Sequence, residues 1–483
     1  MTLWFETALL PDGWAQRVRV RIAGGRIASV ESGAEAEVGD VRHAVGLPGL
    51  PNLHSHAFQR AMAGLAEAPG GAGRDDFWSW RETMYRLVGR LSPEDVAAVA
   101  AQAFMEMLEA GFTRVGEFHY LHHDIDGAPY AAPARMAEAV VAASAETGIA
   151  LTLLPVFYAH AGFGGTEPSP AQRRFIHDLD GFARLRDGCA AALSGLDGAV
   201  LGIAPHSLRA VTPEELAALL VMAPEGPVHI HIAEQMPEVE GCLAWSRQRP
   251  VAWLLDHAPV DARWCLVHAT HVDAAEVTGI AASGAVVGLC PVTEANLGDG
   301  LFPAGEFLDA GGRFGIGSDS NVRIDAAEEL RLLEYGQRLT RRQRNVLARD
   351  GLSTGRTLLT RALAGGAQAL GAGPAALMPG APADIVALRG DGEGAAGDAL
   401  IDRWLFAQGT VEAVWRGGRQ VVREGRHVAR DAIAARYRET MRRLHSATPA
   451  WASPIVMPGS TRHPEPDRHC EPLWMPDQVR HDD

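Results

Sequence analysis

The chain has 483 residues and a formal net charge of −15, with 47% hydrophobic and 21% charged residues. This length exceeds that of one small domain, and the composition is typical of globular proteins. The negative charge argues against nucleic-acid binding, which usually requires a basic face. Because the sequence contains no lysine, a small anionic substrate would have to be bound by a local cluster of arginines.

Cysteine usage and the first residues predict a cytoplasmic protein. The five cysteines are scattered and odd in number, which argues against a disulfide framework. The N-terminal residues lack the basic region of a signal peptide, and no apolar run reaches about 18 residues. We therefore expect neither secretion nor contact with a membrane.

Both ends of the chain show short β patterns. Residues 15–30 alternate apolar and polar positions around two glycines, which predicts a hairpin. Near the other end, 384–388 has the composition of a strand, and 411–428 alternates again. Two such flanks around a long middle predict one composite β-sandwich domain built from both.

The middle of the chain alternates strand and helix patterns. Short apolar runs are separated by stretches with helical periodicity, an order typical of a (β/α)8 TIM-type barrel. A doubly wound open sheet is the alternative, although no GxGxxG loop follows the first strand. The predicted strands start near Gly46, Thr113, Ala150, Ala199, Pro227, Trp264, Ala285 and Arg313, and helical stretches include 93–110, 131–147, 213–222 and 273–282.

These patterns predict an α/β protein with four segments. The segments are 1–47 and 376–435 for the two parts of the composite β-domain, 48–375 for the barrel, and 436–483 for a C-terminal helix and a disordered tail.

The first barrel strand is followed by a His-x-His motif in the stretch 51–60. Residues two apart in a strand point to the same side, so His54 and His56 would project their imidazoles together. Two converging imidazoles are half of a zinc or iron site, and they can equally be two ordinary polar histidines.

Other strand ends supply the residue types that such a site still lacks. Active-site residues of a barrel lie at the carboxyl ends of its strands. Histidines at several strand ends and an aspartate at the last are hard to explain by packing alone. The residues in question are His54, His56, Glu117, His119, His206, His229, His231, Glu234, His268 and Asp319.

This set of motifs resembles the amidohydrolase superfamily, and in finer detail its mononuclear metal deaminase branch. The resemblance covers the barrel and both flanks, including 382–386. It implies one divalent metal, Zn²⁺ with Fe²⁺ as the alternative. Because there is no lysine, the carboxylated lysine that bridges two metals in many members cannot be present. The implied ligands are His54, His56, His231 and Asp319.

One ligand position stays open between two histidines. His229 and His231 point to the same side of their strand, so alternation alone does not choose between them. Glu234 lies three residues after His231, which matches the H-x-x-E pattern of the superfamily and favours His231.

The resemblance also implies a reaction and its catalytic residues. The expected reaction is hydrolysis of a formimidoyl group on a small dicarboxylate to a formyl group, with release of ammonia and a role in histidine degradation. Glu234 would carry protons, although a carboxylate that only begins a helix is the alternative. His268 would stabilise the tetrahedral intermediate, and Asp319 would accept a proton while remaining a ligand.

Two arginines are the expected carboxylate clamps, because a guanidinium can donate two parallel hydrogen bonds to one carboxylate. They are Arg81 and Arg209, and each could instead form a surface salt bridge. The resemblance adds three further substrate-binding residues, which are Gln59, Tyr120 and His206. We interpret His122 and His123 as loop residues, and Trp78 and Trp80 as lid packing.

Two other functions compete with this interpretation. A deaminase of a neutral heterocycle, such as a purine or triazine, would share the metal site but would not need two arginines. A barrel that serves as a scaffold would have no reason to keep the ligands together with Glu234 and His268. A homodimer is expected.

Overall fold

The computed structural model describes residues 1–67, 77–390, 394–407 and 409–446, with the side chains of residues 77 and 78 excepted. The predicted tail and the side chain of Trp78 therefore lie outside the described residues.

In chain order the strands are β1 (Thr2–Leu10), β2 (Gly13–Ala23), β3 (Arg26–Glu31), β4 (Val41–Pro48), β5 (Leu50–Ser55), β6 (Phe112–His119), β7 (Ala150–Phe157), β8 (Val200–Leu201), β9 (Ala204–Pro205), β10 (Val228–Ile232), β11 (Trp264–His268), β12 (Val286–Leu289), β13 (Arg313–Ile316), β14 (Ile385–Leu388), β15 (Val411–Arg416), β16 (Arg419–Arg423) and β17 (Arg426–His427).

Helices separate most strands of the middle region, as the periodicity predicts. Capping boxes begin several of them; Ser92 and Asp95, for example, start the helix at Pro93. None of the helices within the described ranges is long and apolar enough to span a bilayer. The helices are α1 (Phe77–Val88), α2 (Pro93–Glu109), α3 (Arg135–Thr147), α4 (Leu179–Leu193), α5 (Pro213–Met222), α6 (Met236–Ser246), α7 (Pro250–His257), α8 (Ala274–Ser283), α9 (Pro291–Leu297), α10 (Ala304–Asp309), α11 (Ala326–Arg341), α12 (Thr354–Ala369), α13 (Asp398–Phe406) and α14 (Arg430–Ser446), with 3-10 helices at Ala57–Met62 and Pro170–Gln172.

The two flanks of the chain form one sheet. Its order is β17-β16-β15-β14-β4-β1-β2-β3, so strands from both ends are hydrogen-bonded neighbours. Strand β4 joins them, because it pairs parallel to β1 and antiparallel to β14. Phe5 and Val18 from the first flank share a buried cluster with Ile385 and Trp415 from the second.

The middle region contains two parallel sheets. One has the order β5-β6-β7-β8, with β9 also paired to β7, and the other has the order β10-β11-β12-β13. Isolated bridges connect Ser55 to Asp319 and Ile203 to Val228, so hydrogen bonds join the two sheets at both edges. The fold is therefore α/β with parallel sheets and an additional β-sheet.

Two boundaries differ from the prediction. The strand predicted near Gly46 is two strands, because β4 ends at Pro48 and β5 begins at Leu50. Gly49 lies between them. A Cβ atom at this position would come within 2.3 Å of the Thr113 side chain, so only glycine fits there. The C-terminal helix begins at Arg430, inside the segment predicted for the second flank.

Candidate metal and catalytic site

The predicted ligands come together where the ends of β5, β10 and β13 meet. His54 and His56 lie at the end of β5, His231 lies in β10, and Asp319 follows β13. The approach of β13 to β5 depends on Gly317, since a Cβ atom there would lie 2.7 Å from the carbonyl oxygen of His54. The Asp319 N–H donates to that same carbonyl at 3.0 Å, which holds the two strand ends together.

Four side chains converge on one point. The Nε2 atom of His54 lies 3.2 Å from Nε2 of His56 and 3.1 Å from Nε2 of His231. The Oδ1 atom of Asp319 lies 3.4 Å from Nε2 of His54 and 3.3 Å from Nε2 of His56. Ligand atoms around a tetrahedral Zn²⁺ with bonds of about 2.0–2.1 Å are separated by about 3.3–3.4 Å. The spacing of the four atoms therefore fits a divalent metal.

The hydrogen bonds of the imidazoles also fit a metal. His56 Nδ1 lies 2.9 Å from the carbonyl oxygen of Phe118, and His231 Nδ1 lies 3.2 Å from that of His206. A carbonyl can only accept, so Nδ1 carries the hydrogen in both rings and Nε2 offers its lone pair to the group. Burial lowers the pKa of all three histidines, that of His54 to about 3, which keeps them neutral as metal ligands require.

The structure places His229 away from this group. Its Nε2 atom lies 2.7 Å from the carbonyl oxygen of Ala369, at the end of α12. His231 lies two residues further along β10. It belongs to the group of four residues, all of which are buried.

His268 and Glu234 lie beside the four ligands. The Nε2 atom of His268 is 3.7 Å from Oε1 of Glu234 and 3.8 Å from Oδ2 of Asp319. Burial raises the pKa of Glu234. Burial alone would lower the pKa of His268, but the surrounding carboxylates, Glu234 first, raise it to about 10. Burial also opposes ionisation of Asp319, yet its hydrogen bond to His54 and the nearby histidines hold its pKa below the ordinary range.

A second carboxylate, which the sequence interpretation did not include, orients His268. Glu294 Oε1 lies 3.2 Å from Nδ1 of His268 and accepts the backbone N–H of Cys290 at 2.9 Å. The end of β12, the seventh strand predicted for the barrel, carries neither a histidine nor an aspartate. The motif pattern therefore did not point to this part of the chain. The signal that could have found Glu294 is its place in the first turn of α9, just after β12.

Backbone strain is concentrated at the same place. Five non-glycine residues at or just after strand ends have positive φ, namely Ala233 at 51°, His268 at 67°, Ala269 at 47°, Asp319 at 44° and Asn321 at 55°. Such conformations cost about 1–3 kcal/mol each and persist where the surrounding structure holds them. They turn the His268 and Asp319 side chains into the site.

The predicted substrate-binding residues line the cavity above these groups. Arg81 and Arg209 face it together with Gln59, Tyr120 and His206. The guanidinium of Arg81 lies 5.4 Å from the ring centroid of Tyr85. The amide nitrogen of Gln59 donates to the Tyr120 hydroxyl at 2.7 Å.

Arg209 has a buried partner that the sequence analysis did not identify. Its Nε atom is 3.9 Å from Oε2 of Glu238, a residue of α6. The other carboxylate oxygen of Glu238 accepts the N–H of Ala233 at 3.1 Å. Burial alone would lower the pKa of Arg209, but the charge of Glu238 raises it, so the guanidinium is a permanent cation.

The remaining candidates have other places. His122 and His123 are buried in the loop after β6, where their Nε2 atoms contact the carbonyl oxygens of Val156 and Ile176. Among the described residues, neither belongs to a group of three converging metal ligands. Trp80 lines the cavity.

Comparisons with known proteins agree with this geometry. The model of the Amidohydrolase family matches residues 45–421, and the model described as "Formimidoylglutamate deiminase HutF, N-terminal domain" matches residues 2–44. The chain is 53% identical to formimidoylglutamate deiminase of Pseudomonas aeruginosa, over 92% of this chain and 99% of that protein.

Solved structures give the same picture. An amidohydrolase from Brucella melitensis is 55% identical, with a TM-score of 0.90 over 92% of this chain and 99% of that chain. A zinc-bound adenosine deaminase from Xanthomonas campestris has a TM-score of 0.75 over 92% of this chain and 98% of that one. At 22% identity the second likeness concerns the fold alone.

Proposed function

The chain belongs to the amidohydrolase family, and we propose that it is a metal-dependent deiminase that hydrolyses N-formimidoyl-L-glutamate to N-formyl-L-glutamate and ammonia. The observation that carries this proposal is one cavity that contains three kinds of group. A cluster of metal ligands and a buried carboxylate–imidazole pair line its floor, and two arginines line its wall.

The ligands would be His54, His56, His231 and Asp319, and the metal we propose is Zn²⁺, with Fe²⁺ as the alternative. When bound, a divalent metal lowers the pKa of a coordinated water and so makes a nucleophile available at neutral pH. With no lysine in the sequence and four convergent ligands, we propose one metal per chain.

Glu234 is placed to move the protons. Hydrolysis moves both protons of the attacking water to the imino nitrogen, which leaves as ammonia. A buried carboxyl group with a raised pKa can accept each proton from the water oxygen and deliver it to that nitrogen. His268, fixed by Glu294, directs Nε2 at the same space and would stabilise the tetrahedral intermediate. Asp319 would accept a proton transiently while it stays a ligand.

Arg81 and Arg209 would bind the two carboxylates of the substrate. Bidentate arginine–carboxylate pairs combine charge with fixed geometry, and both guanidinium groups face the cavity that holds the ligands. Gln59, Tyr120 and His206 add polar contacts on the same wall. A neutral heterocycle would not use two cations, which favours the dicarboxylate over a purine or triazine.

We also propose that the two joined parallel sheets are one (β/α)8 barrel within 48–375, with a composite domain from 1–47 and from residue 376 to the start of α14. The bridges at both sheet edges support the closed arrangement. The homodimer and the cytoplasmic location stay predictions from the sequence.

An ammonia-release assay tests the proposal directly. N-formimidoyl-L-glutamate, adenosine, guanine and an aminotriazine would be compared at equal concentrations with the metal-loaded protein. We expect turnover of the first substrate alone. A preference for any of the neutral rings would contradict the proposal.

A further inference from the structure

Tyr158 lines the same cavity, directly after β7, and belongs to none of the residue sets above. Only 5% of this residue is exposed, and its ring lies 4.6 Å from that of His206 in an edge-to-face arrangement. The ring is thus fixed between β7 and the residue that follows β9. Its hydroxyl is the polar group that Tyr158 can offer to a ligand in the cavity.

The direction of the hydrogen bond at this hydroxyl follows from a buried chain of three residues. The backbone N–H of Ser169 lies 2.8 Å from one end of the Gln172 amide. A backbone N–H can only donate, so that end is Oε1, and the Ser169 hydroxyl approaches it as well at 3.0 Å. The nitrogen Nε2 therefore faces Tyr158 and donates to its hydroxyl oxygen at 2.7 Å.

Because its oxygen accepts from Gln172, the Tyr158 hydroxyl has a proton to donate elsewhere. Within the described parts of the chain no acceptor for that proton is present, although the residue is buried. A similar pair lines the same cavity, where the Gln59 amide donates to the Tyr120 hydroxyl at 2.7 Å. Two phenols whose oxygens accept from glutamine amides therefore line one cavity.

We propose that Tyr158 binds one carboxylate of the substrate through its O–H, and that Gln172 is a positioning residue that turns this proton toward the cavity. The inference rests on the proposed function, since it deepens how a dicarboxylate is selected. A carboxylate can only accept hydrogen bonds, so it matches a hydroxyl held as a donor. Glu238 already compensates part of the charge of Arg209, and Tyr158 adds a donor without adding charge.

The first test is Tyr158→Phe, which keeps the ring and its contact with His206. Loss of a hydrogen bond to a charged group should lower kcat/KM for N-formimidoyl-L-glutamate by about tenfold to a hundredfold. The metal content should not change. Tyr130→Phe is the matched control, because it removes a hydroxyl that contacts Asp124 at the surface and should leave kcat/KM as in the parent.

The second test reverses the hydrogen bond without removing either group. In Gln172→Glu the new carboxylate would still accept from Ser169, and it would also accept from Tyr158, which turns the phenolic proton away from the cavity. We expect Gln172→Glu to lower kcat/KM about as much as Tyr158→Phe, and to add little in the Tyr158→Phe background. Gln172→Leu replaces Gln172→Glu if the charged variant does not fold. We expect a smaller loss of kcat/KM in Gln172→Leu, because the Tyr158 hydroxyl can then rotate and still donate into the cavity.

Two substrate analogues, each without one of the two carboxylates, make the test specific. With the analogue that lacks the carboxylate bound by Tyr158, the parent and Tyr158→Phe should have equal kcat/KM. The hydrogen bond from Tyr158 is then absent in both proteins. Equal loss with both analogues and the full substrate, or an unchanged kcat/KM in Tyr158→Phe, would overturn the inference while the proposed function stands. If the parent itself releases no ammonia, calorimetry with N-formyl-L-glutamate decides, and absence of binding overturns both.

Discussion

The Nε2 atom of His268, the last residue of β11, lies 3.7 Å from Oε1 of Glu234, which follows the neighbouring parallel strand β10. Glu294 holds the opposite ring nitrogen at 3.2 Å, so the imidazole cannot turn away from Glu234. A buried carboxyl group and a fixed imidazole thus face the same small space beside the metal ligands. We therefore expect the carboxyl group to transfer protons and the ring to give electrostatic support.

Glu234→Gln should retain the metal and nearly abolish turnover. The amide has the size of the carboxyl group but cannot accept and release a proton. Positioned proton transfer is worth roughly 10²–10⁴-fold, so kcat should fall by that factor while KM changes little. Single-turnover kinetics with metal analysis of the same sample measures both. A variant with near-normal kcat would show that the proton travels by another route.

Removal of a ligand should remove both metal and activity. We expect His54→Ala and Asp319→Ala to contain well under one metal per chain and to release no ammonia. The metal-loaded parent should also show a higher Tm than the chelated protein, because a ligand that binds only the folded state stabilises it.

His229→Asn is the matched control, since it changes a buried histidine two residues from His231 on the same strand. Its imidazole contacts a backbone carbonyl and not the ligand group. The variant should lose some stability and keep one metal per chain. Metal analysis that finds close to two ions per parent chain would contradict the mononuclear assignment.

The convergence of His54, His56, His231 and Asp319 follows in part from local rules that can be applied to the sequence. Strand alternation places His54 and His56 on one side, and parallel strands bring their carboxyl ends together. The choice between His229 and His231 could not be predicted by alternation, because both point to the same side. Their positions along β10 separate them, because His229 lies where its Nε2 atom contacts the carbonyl oxygen of Ala369.

The groups that orient the catalytic residues were harder to predict, because they depend on tertiary contacts. Glu294 and Glu238 lie on helices that follow strand ends, where acidic residues are common for reasons of helix polarity alone. The pair of Gln172 and Tyr158 depends on a short 3-10 turn with no periodic signal. The division of the apolar run at Gly49 likewise depends on its contact with Thr113, in another strand.

Buried neutral histidines outside the metal group should make the protein sensitive to acid. Burial lowers the pKa of His177 to about 3, and His123 lies 4.4 Å from it between ring centroids. The unfolded chain binds a proton at this position below about pH 6.5, whereas the folded chain does not. Stability therefore falls as pH falls from about 6.5 toward 3, by at most about 1.4 kcal/mol per pH unit for one histidine.

His177→Asn should reduce this slope. Urea unfolding of the parent and the variant at several pH values between 7 and 5 gives the difference in their free energies of unfolding. The metal ligands are also sensitive to acid, but they contribute equally to both proteins and do not affect this difference. We expect the stabilities of the two proteins to converge as the pH falls. Parallel curves would mean that His177 is protonated in the folded protein as readily as in the unfolded one.

Arg81→Ala and Arg209→Ala should each reduce turnover of the dicarboxylate while the metal stays bound. Loss of one partner of a buried charge pair costs about 2–5 kcal/mol, so kcat/KM should fall roughly thirtyfold to several thousandfold. An analogue without the matching carboxylate should be affected far less. Full activity of both variants would favour a neutral substrate.

Arg209→Ala should lower stability as well as turnover, because Arg209 has a buried carboxylate beside it. Its Nε atom lies 3.9 Å from Oε2 of Glu238, and that oxygen has no hydrogen-bond partner among the described residues. Arg209→Ala therefore leaves the Glu238 carboxylate unpaired in a buried place and should lower Tm. Adding Glu238→Gln should restore much of the lost Tm without restoring kcat/KM. Recovery of activity in that double variant would show that Arg209 acts only by neutralising Glu238, and that it does not bind the substrate.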